Sequence, residues 1–236
     1  MAFVYMNQED PLISAEIEGF TNGDYDYTSR TRINGLDQDG ISFINTGSER
    51  PGYPATKLGG ALLSIDTTPF DSLSLYFSAG TVKSNSREYN LRLQYRIGDL
   101  RPFQDFLDEN GQPIEYKRAS LDGDTEVFEA KLPEEKMGQP YVQLFWRYYY
   151  TGIRNDENSG ARDEIRLDDI SLKAKLKIDM PITATEIINQ YGQIEAVNEH
   201  SSTANVIFQA GSTIELKPGF TTSSGTVFTA VITGCD

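Results

Sequence analysis

The sequence predicts an all-β protein, a two-sheet sandwich of jelly-roll type followed by a small C-terminal β-stack. Three observations carry that expectation. The segment Tyr141–Tyr150 (YVQLFWRYYY) alternates Val142, Leu144, Trp146 and Tyr148 against Gln143, Phe145 and Arg147, the two-residue period of a strand with one face in a core. The 236 residues include 20 Gly, 13 Tyr and 12 Phe, with stretches rich in Thr, Ser and Asn, a composition of strands joined by many turns. No window sustains a helical period, so the crossover helices of a parallel α/β fold are missing.

The elements follow in order. Ile13 to Phe20 alternates and reads as a first strand with Glu16 and Glu18 on one face. Thr21 to Gly40 is dense in Asn, Gly, Asp and Tyr and reads as a long loop. Strands are then expected at Gly40 to Asn45, Leu58 to Asp66, Ser72 to Ser78, Asn90 to Ile97, Ile114 to Arg118, Thr125 to Leu132, Tyr141 to Tyr150 and Arg162 to Lys173. Eight or nine strands at this spacing fit two packed sheets. In the last of them the alternation through Ile165 and Leu167 slips at Asp168-Asp169 before Ile170 and Leu172 resume it, the mark of a β-bulge.

A boundary is expected near Lys175 to Pro181, giving a sandwich over residues 1–177 and a stack over 178–236. Beyond it charge thins out. Short strands return in Thr183 to Asn189, Gly192 to Val197, Asn205 to Phe208, Thr213 to Leu216 and Val227 to Ile232, with Gly211, Pro218-Gly219 and Gly225 at the turns. About 55 residues is marginal for an independent core, so this tail is expected to stack its strands repetitively or lean on the sandwich.

Charge and cysteine usage narrow the function classes. A net charge of -14 disfavours a nucleic-acid partner, because phosphate recognition draws on clustered Lys and Arg. Cys235 is the single cysteine, so neither an intrachain disulfide nor a cysteine-rich zinc site can form. No apolar run is long enough to insert in a membrane and no signal peptide is recognisable; the opening Met-Ala reads as a start added to an excised mature segment. His200, the one histidine, lies in a Ser/Thr/Asn-rich stretch and reads as an exposed turn residue, with no G-x-S-x-G or H-E-x-x-H motif to work with it. The chain is therefore expected not to be an enzyme. A carboxylate-based polysaccharide hydrolase or lyase is the remaining catalytic reading, resting only on the abundance of Asp and Glu.

The tail carries a resemblance. Ala204–Phe220 (ANVIFQAGSTIELKPGF) and the following Gly225–Ile232 (GTVFTAVI) show the pattern F-x-A-G-x-x-I-x-L-x-P-G-F and resemble the three-coathanger stack repeat found near the C-termini of secreted multidomain bacterial proteins. The larger part is similar to MAM-like and carbohydrate-binding jelly rolls through Gly59–Asp66, Leu73–Phe77, Leu91–Ile97 and Ile165–Ile170, without the cysteines of their disulfide-bearing members. These likenesses imply a secreted or cell-surface module of a larger chain, exported by a type IX route, its sorting domain lying beyond this segment. They also imply a structural Ca²⁺ between the first and last sandwich strands, with Glu16 or Glu18 and Asp168 or Asp169 as ligands. The alternative for Asp168-Asp169 is that the carboxylates bond nearby backbone amides. Asp37-Gln-Asp-Gly40, Asp108-Glu-Asn-Gly111 and Asp122-Gly-Asp124 read as turns.

Alternation also proposes a ligand face. Leu91, Leu93, Tyr95 and Ile97 point one way, so Arg92, Gln94 and Arg96 point the other, and Gln143, Phe145, Arg147 and Tyr149 form the corresponding set of their strand. If the Ser72 strand shares the sheet, Tyr76 joins them. Rings beside planar donors suit a polysaccharide or cell-surface glycan, and Arg favours an anionic one. Two readings stay open: a carbohydrate-binding accessory module, or a structural and adhesive spacer whose face is covered and forms a second core layer.

Overall fold

The computed structural model describes residues 2–4, 31–45, 59–68, 70–98, 102–190, 192–201 and 203–233, with 2–4 and Glu135 described through the backbone alone. The expected first strand with Glu16 and Glu18, and Cys235, lie outside the described residues. The chain is all-β, and among the described residues helix is confined to two single 3₁₀ turns, Asp37–Asp39 and Glu134–Lys136. It forms two compact units that do not divide at a single point. One comprises Met1–Asp66, Tyr76–Ala130 and Pro140–Ser171; the other comprises Thr67–Leu75, Lys131–Gln139 and Leu172–Asp236.

The first unit is the sandwich. Its strands are drawn from β1 (Ala2–Val4), β2 (Arg32–Gly35), β3 (Ile41–Ile44), β4 (Gly59–Ile65), β5 (Phe70–Lys83), β6 (Arg87–Ile97), β7 (Gln104–Asp105), β8 (Glu115–Tyr116), β9 (Thr125–Lys131), β10 (Val142–Arg154) and β11 (Glu164–Ile178). One sheet runs β1-β4-β10-β6, with β7 and β8 both pairing β6; in the other, β2 pairs β3, β3 pairs β11, and β5 pairs β11 and β9. The loop expected over Thr21 to Gly40 is thus interrupted by β2, which Asn34 ties down through Glu164 Oε1 at 3.0 Å. Tyr76 sits on β5, so it belongs to the opposite sheet from Arg92 and Arg147; alternation fixes a face but not a sheet.

Aromatic rings join the two sheets. Trp146 meets Phe77 edge-on at 5.7 Å, Phe77 stacks on Phe128 at 5.0 Å, and Tyr148 lies between Tyr89 at 4.5 Å and Phe43 at 6.0 Å. Each such pair adds roughly 0.5–1.5 kcal/mol to the burial of its area. The Tyr148 hydroxyl donates to the Asp163 carbonyl at 2.7 Å and accepts from the Asn45 amide at 3.2 Å, so its burial leaves no unmet polar atom; that burial pushes its pKa well above the phenolic value. Asp163, fully buried, ties the start of β6 in place: it accepts from the amides of Asn85 at 2.5 Å and Tyr89 at 3.0 Å and lies 3.1 Å from Arg118 Nε. Burial raises its pKa despite those partners.

The second unit contains a three-sided parallel stack. To the end of β11 it adds β12 (Glu186–Gln190), β13 (Gln193–Ala196), β14 (Glu199–His200), β15 (Asn205–Ala210), β16 (Thr213–Leu216), β17 (Thr221–Thr222) and β18 (Val227–Ile232). One side is β11-β13-β16, a second is β12-β15-β18, and the third is β14-β17 with Ile182 bridged to His200. Partners lie 18 to 22 positions apart, from Lys175↔Gln193 to Asn205↔Val227, so each coil of chain serves as its own crossover and no helix is needed. Inward residues Ile178, Ile182, Ile194, Val206 and Phe208 make a core belonging to this unit.

That core corrects the reading of His200. Its side chain is 1% exposed, ringed by Phe208, Phe220 and Phe228 at 5.7, 5.0 and 5.5 Å, and neither ring nitrogen has a hydrogen-bond partner. A polar stretch placed it outside; coil closure turns it inward. Burial lowers its pKa.

Candidate functional site

The outer face of β10 and β6 is built in rows. Arg147 lies opposite Arg92, and Arg92 opposite Glu115; Phe145 lies opposite Gln94, and Gln94 opposite Asp105; Gln143 lies opposite Arg96. Arg147 Nε donates to Gln94 Oε1 and Arg96 Nε to Gln143 Oε1, both at 2.6 Å, while Gln94 Nε2 donates to Asp105 Oδ1 at 2.8 Å. Arg92 pairs with Glu115 and, at 3.0 Å, with Asp105. The Tyr149 hydroxyl donates to Glu115 at 2.8 Å, and burial followed by that carboxylate pushes its pKa up to about 12. Guanidinium groups lie over rings throughout, Arg96 4.4 Å from Phe103, Arg147 5.0 Å from Phe145 and Arg92 5.5 Å from Tyr149.

The structure thus brings Arg92, Gln94, Arg96, Gln143, Phe145, Arg147 and Tyr149 together, as alternation requires. It covers five of them and leaves Arg92 and Tyr149 half-buried. Gln94, Arg96 and Gln143 are 4% exposed, Arg147 is 3% and Phe145 is buried completely. Arg147 Nε and Arg96 Nε are spent within the set and Gln143 Nε2 on the Tyr141 hydroxyl at 2.7 Å, so the covered part is a second packed layer, polar instead of oily. Tyr76 is apart from it, donating to Glu129 at 2.8 Å.

Asp168 and Asp169 form the expected irregularity inside β11: Asp169 has φ 51, the left-handed conformation that Asp tolerates better than most residues. The Asp169 amide donates to Asp168 Oδ1 at 2.8 Å, and Ser78 Oγ donates to Asp169 Oδ2 at 3.1 Å. Among the described residues no group of three His, Cys, Asp or Glu side chains is arranged to hold a metal ion; Glu16 and Glu18, the other half of the expected calcium set, lie outside them. Asp108 acts as a turn residue, accepting from the amides of Asn110 and Gln112; Asp122 stands in a turn and accepts from the amide of Ser84, 38 positions away in sequence.

The cleft that sequence reasoning missed lies on the other sheet. About 450 Å³ in volume, it is lined by Gly35, Leu36, Asp37 and Asp39 from the β2–β3 turn, Thr81 and Val82 of β5, Gly123, and Arg166 of β11. The turn is drawn tight by Leu36 N to Gly40 O at 2.9 Å and Asp39 N to Leu36 O at 3.0 Å, and it holds Asp37 at φ 54. A left-handed non-glycine residue stores of order 1 kcal/mol, which the surrounding turn must supply. Gly123 is fixed beside Thr81, its N–H donating a hydrogen bond to the Thr81 carbonyl at 2.7 Å.

Arg166 is the group of interest there. A Cβ at Gly80 would come within 3.0 Å of its Nε, so the bare backbone of β5 leaves space for the guanidinium. Its side chain is 21% exposed and its Nε is buried without a hydrogen-bond partner. Among the described residues its one ionic contact is NH1 to Asp39 Oδ1 at 3.7 Å, beyond hydrogen-bond reach and to a carboxylate that is itself 75% exposed. The guanidinium therefore borders the cleft with donors to spare. Leu36 and Val82 supply an apolar strip; Asp37 and Asp39 supply acceptors. The only hint in the sequence was that Asp37–Gly40 reads as a turn and Arg166 falls within an expected strand; nothing local brings them together with Gly80.

No protein-family model matches the chain, and no curated protein matches its sequence. Among solved structures it is similar to a xylanase 10C from Cellvibrio japonicus in complex with xylopentaose, at 11% identity and TM-score 0.36, covering 70% of this chain and 31% of that one. It is also similar to the xylan-binding CBM22-1 domain from Paenibacillus barcinonensis, at 11% identity and TM-score 0.32, covering 61% of this chain and 80% of that one. A family 16 carbohydrate-binding module gives 12% identity and TM-score 0.29 over 63% of this chain and 87% of that one. These are distant likenesses, and the functional reading rests on the site itself.

Proposed function

We propose that the sandwich unit is a non-catalytic carbohydrate-binding module that takes its sugar in the Arg166 cleft. The observation that carries this reading is a cleft with an apolar strip, two carboxylates and a guanidinium whose hydrogen bonds are unused. A pyranose presents the complementary surface, C–H groups on its faces and hydroxyls on its rim. Leu36 and Val82 meet the former, Asp37, Asp39 and Arg166 the latter, and the glycine borders let the ring approach the backbone. A glycan array with wild type and Arg166→Ala tests it: loss of a bound glycan with an unchanged melting temperature is the expected result, and equal binding by both proteins removes the cleft from consideration.

A structural spacer is the second reading, favoured by the sealed polar layer on β6 and β10 and by a coil stack with its own core. Secretion, display at the cell surface and a type IX route belong to both readings as proposals, supported by the F-x-A-G-x-x-I-x-L-x-P-G-F pattern of the tail.

A further inference from the structure

We infer that the sugar taken by this cleft carries one carboxylate: a uronic acid residue set in an otherwise neutral polysaccharide, its carboxylate on Arg166 and its hydroxyls on Asp37 and Asp39. The inference rests on the reading that the cleft is the sugar site. Three facts select the ligand. The Arg166 guanidinium is largely withdrawn from water with no hydrogen bond among the described residues, and a carboxylate is the acceptor whose geometry matches two of its parallel N–H groups. Asp37 and Asp39 on the same rim accept but cannot donate while ionised, so they call for hydroxyl donors on the same ligand.

The third fact is repulsion. Two carboxylates at the rim, in a chain of net charge -14, oppose a phosphate, a sulfate or a densely charged polyanion. One carboxylate among hydroxyls is the composition that satisfies Arg166 without crowding charge against Asp37 and Asp39. A simple carboxylate lacking hydroxyls would leave the two Asp side chains without donors from the ligand.

Calorimetric titration of the full chain tests this with four probes: a neutral oligosaccharide bearing a single glucuronic acid, the same oligosaccharide with that carboxyl reduced to an alcohol, free glucuronate, and acetate. The acidic oligosaccharide should bind roughly 10- to 100-fold more tightly than its reduced form, the range expected for a charge-assisted bond, and acetate should not bind measurably. Arg166→Gln should erase the preference. Gly35→Leu, at a position where an added Cβ meets nothing within 4 Å, should fill the cleft and abolish binding of both oligosaccharides while the fold persists. Equal binding of acidic and reduced forms, both lost in Gly35→Leu, overturns the uronate inference and leaves the carbohydrate reading standing. A preference that survives Arg166→Gln overturns it too. Acetate binding as tightly as glucuronate overturns it, since the hydroxyls then contribute nothing. If no carbohydrate senses Gly35→Leu or Arg166→Gln, both readings fall.

Discussion

Protonating His200 should loosen the coil stack, and the size of the effect follows from its surroundings. The ring is buried among Phe208, Phe220 and Phe228 with both nitrogens unpartnered, and burial alone lowers its pKa, with no charged neighbour contributing. In the unfolded chain it titrates near its ordinary 6.5. Because the folded value lies below the unfolded one, the unfolded chain binds more protons as pH falls; stability is full above about 6.5 and is lost below it. The slope approaches about 1.4 kcal/mol per pH unit wherever the unfolded ring is protonated and the buried one is not. His200→Leu removes both the titration and two unsatisfied nitrogens, each costing roughly 1–3 kcal/mol, so it should stabilise the stack as well. Urea unfolding of both proteins at pH 7 and pH 5 gives the test as a difference of differences, in which every shared titrating group cancels. Glu195, held below its ordinary 4.5 first by the Lys175 ammonium, loses its contribution only in the carboxylate range, outside this window. A gap between wild type and His200→Leu that is the same at both pH values would refute the reasoning.

Further outcomes follow from the sandwich. Asp163→Ala removes the acceptor of two buried amides and the partner of Arg118, and should cost about 3–5 kcal/mol in denaturant unfolding; a loss below 1 kcal/mol would mean that water reaches those groups. Arg147→Ala should destabilise the protein by roughly 1–3 kcal/mol, since its bond to Gln94 is buried; unchanged stability with lost glycan binding would instead make that face a ligand surface. If Glu16 or Glu18 completes a calcium site with Asp168 and Asp169, calcium at one hundred times its dissociation constant adds about 2.7 kcal/mol. Asp169→Ala should remove that increment, and identical melting in chelator and millimolar calcium would end the calcium proposal.

The parts of the fold legible beforehand are those where period alone decides. The Tyr141 to Tyr150 and Asn90 to Ile97 strands announced themselves by alternation, and the structure finds them as β10 and β6 with the expected residues sharing each face. Alternation is a property of one strand, so it said nothing about what lies above that strand or which sheet a neighbour joins. Hence Arg147 read only as off the principal core, on a face either open or covered, and is buried; Tyr76 read as its companion only if their strands shared a sheet, and it is on the other one. His200 failed for a related reason. Its strand is two residues long, too short for any period, and only the pairing of Glu199 with Thr221 and His200 with Thr222 shows the direction of the coil. Arg166 was legible as an outward residue between Ile165 and Leu167; that its guanidinium borders a cleft depends on Gly80 and the Asp37–Asp39 turn, contributed by two distant strands.

The parallel stack has a direction. Among the described residues β16, β17 and β18 each have a strand partner on one side only, and the inward Leu216 and Ile232 of this last coil are 45% and 52% exposed where their counterparts in the coil before, Ala196 and Ala210, are covered. Each coil is therefore a rung supported from one end, and disassembly is a sequential unzipping rather than a collapse. Amide hydrogen exchange should reach Val227–Ile232 before Asn205–Ala210, and tension applied at the C-terminal end would meet the weakest rung first, letting the tail lengthen coil by coil under load.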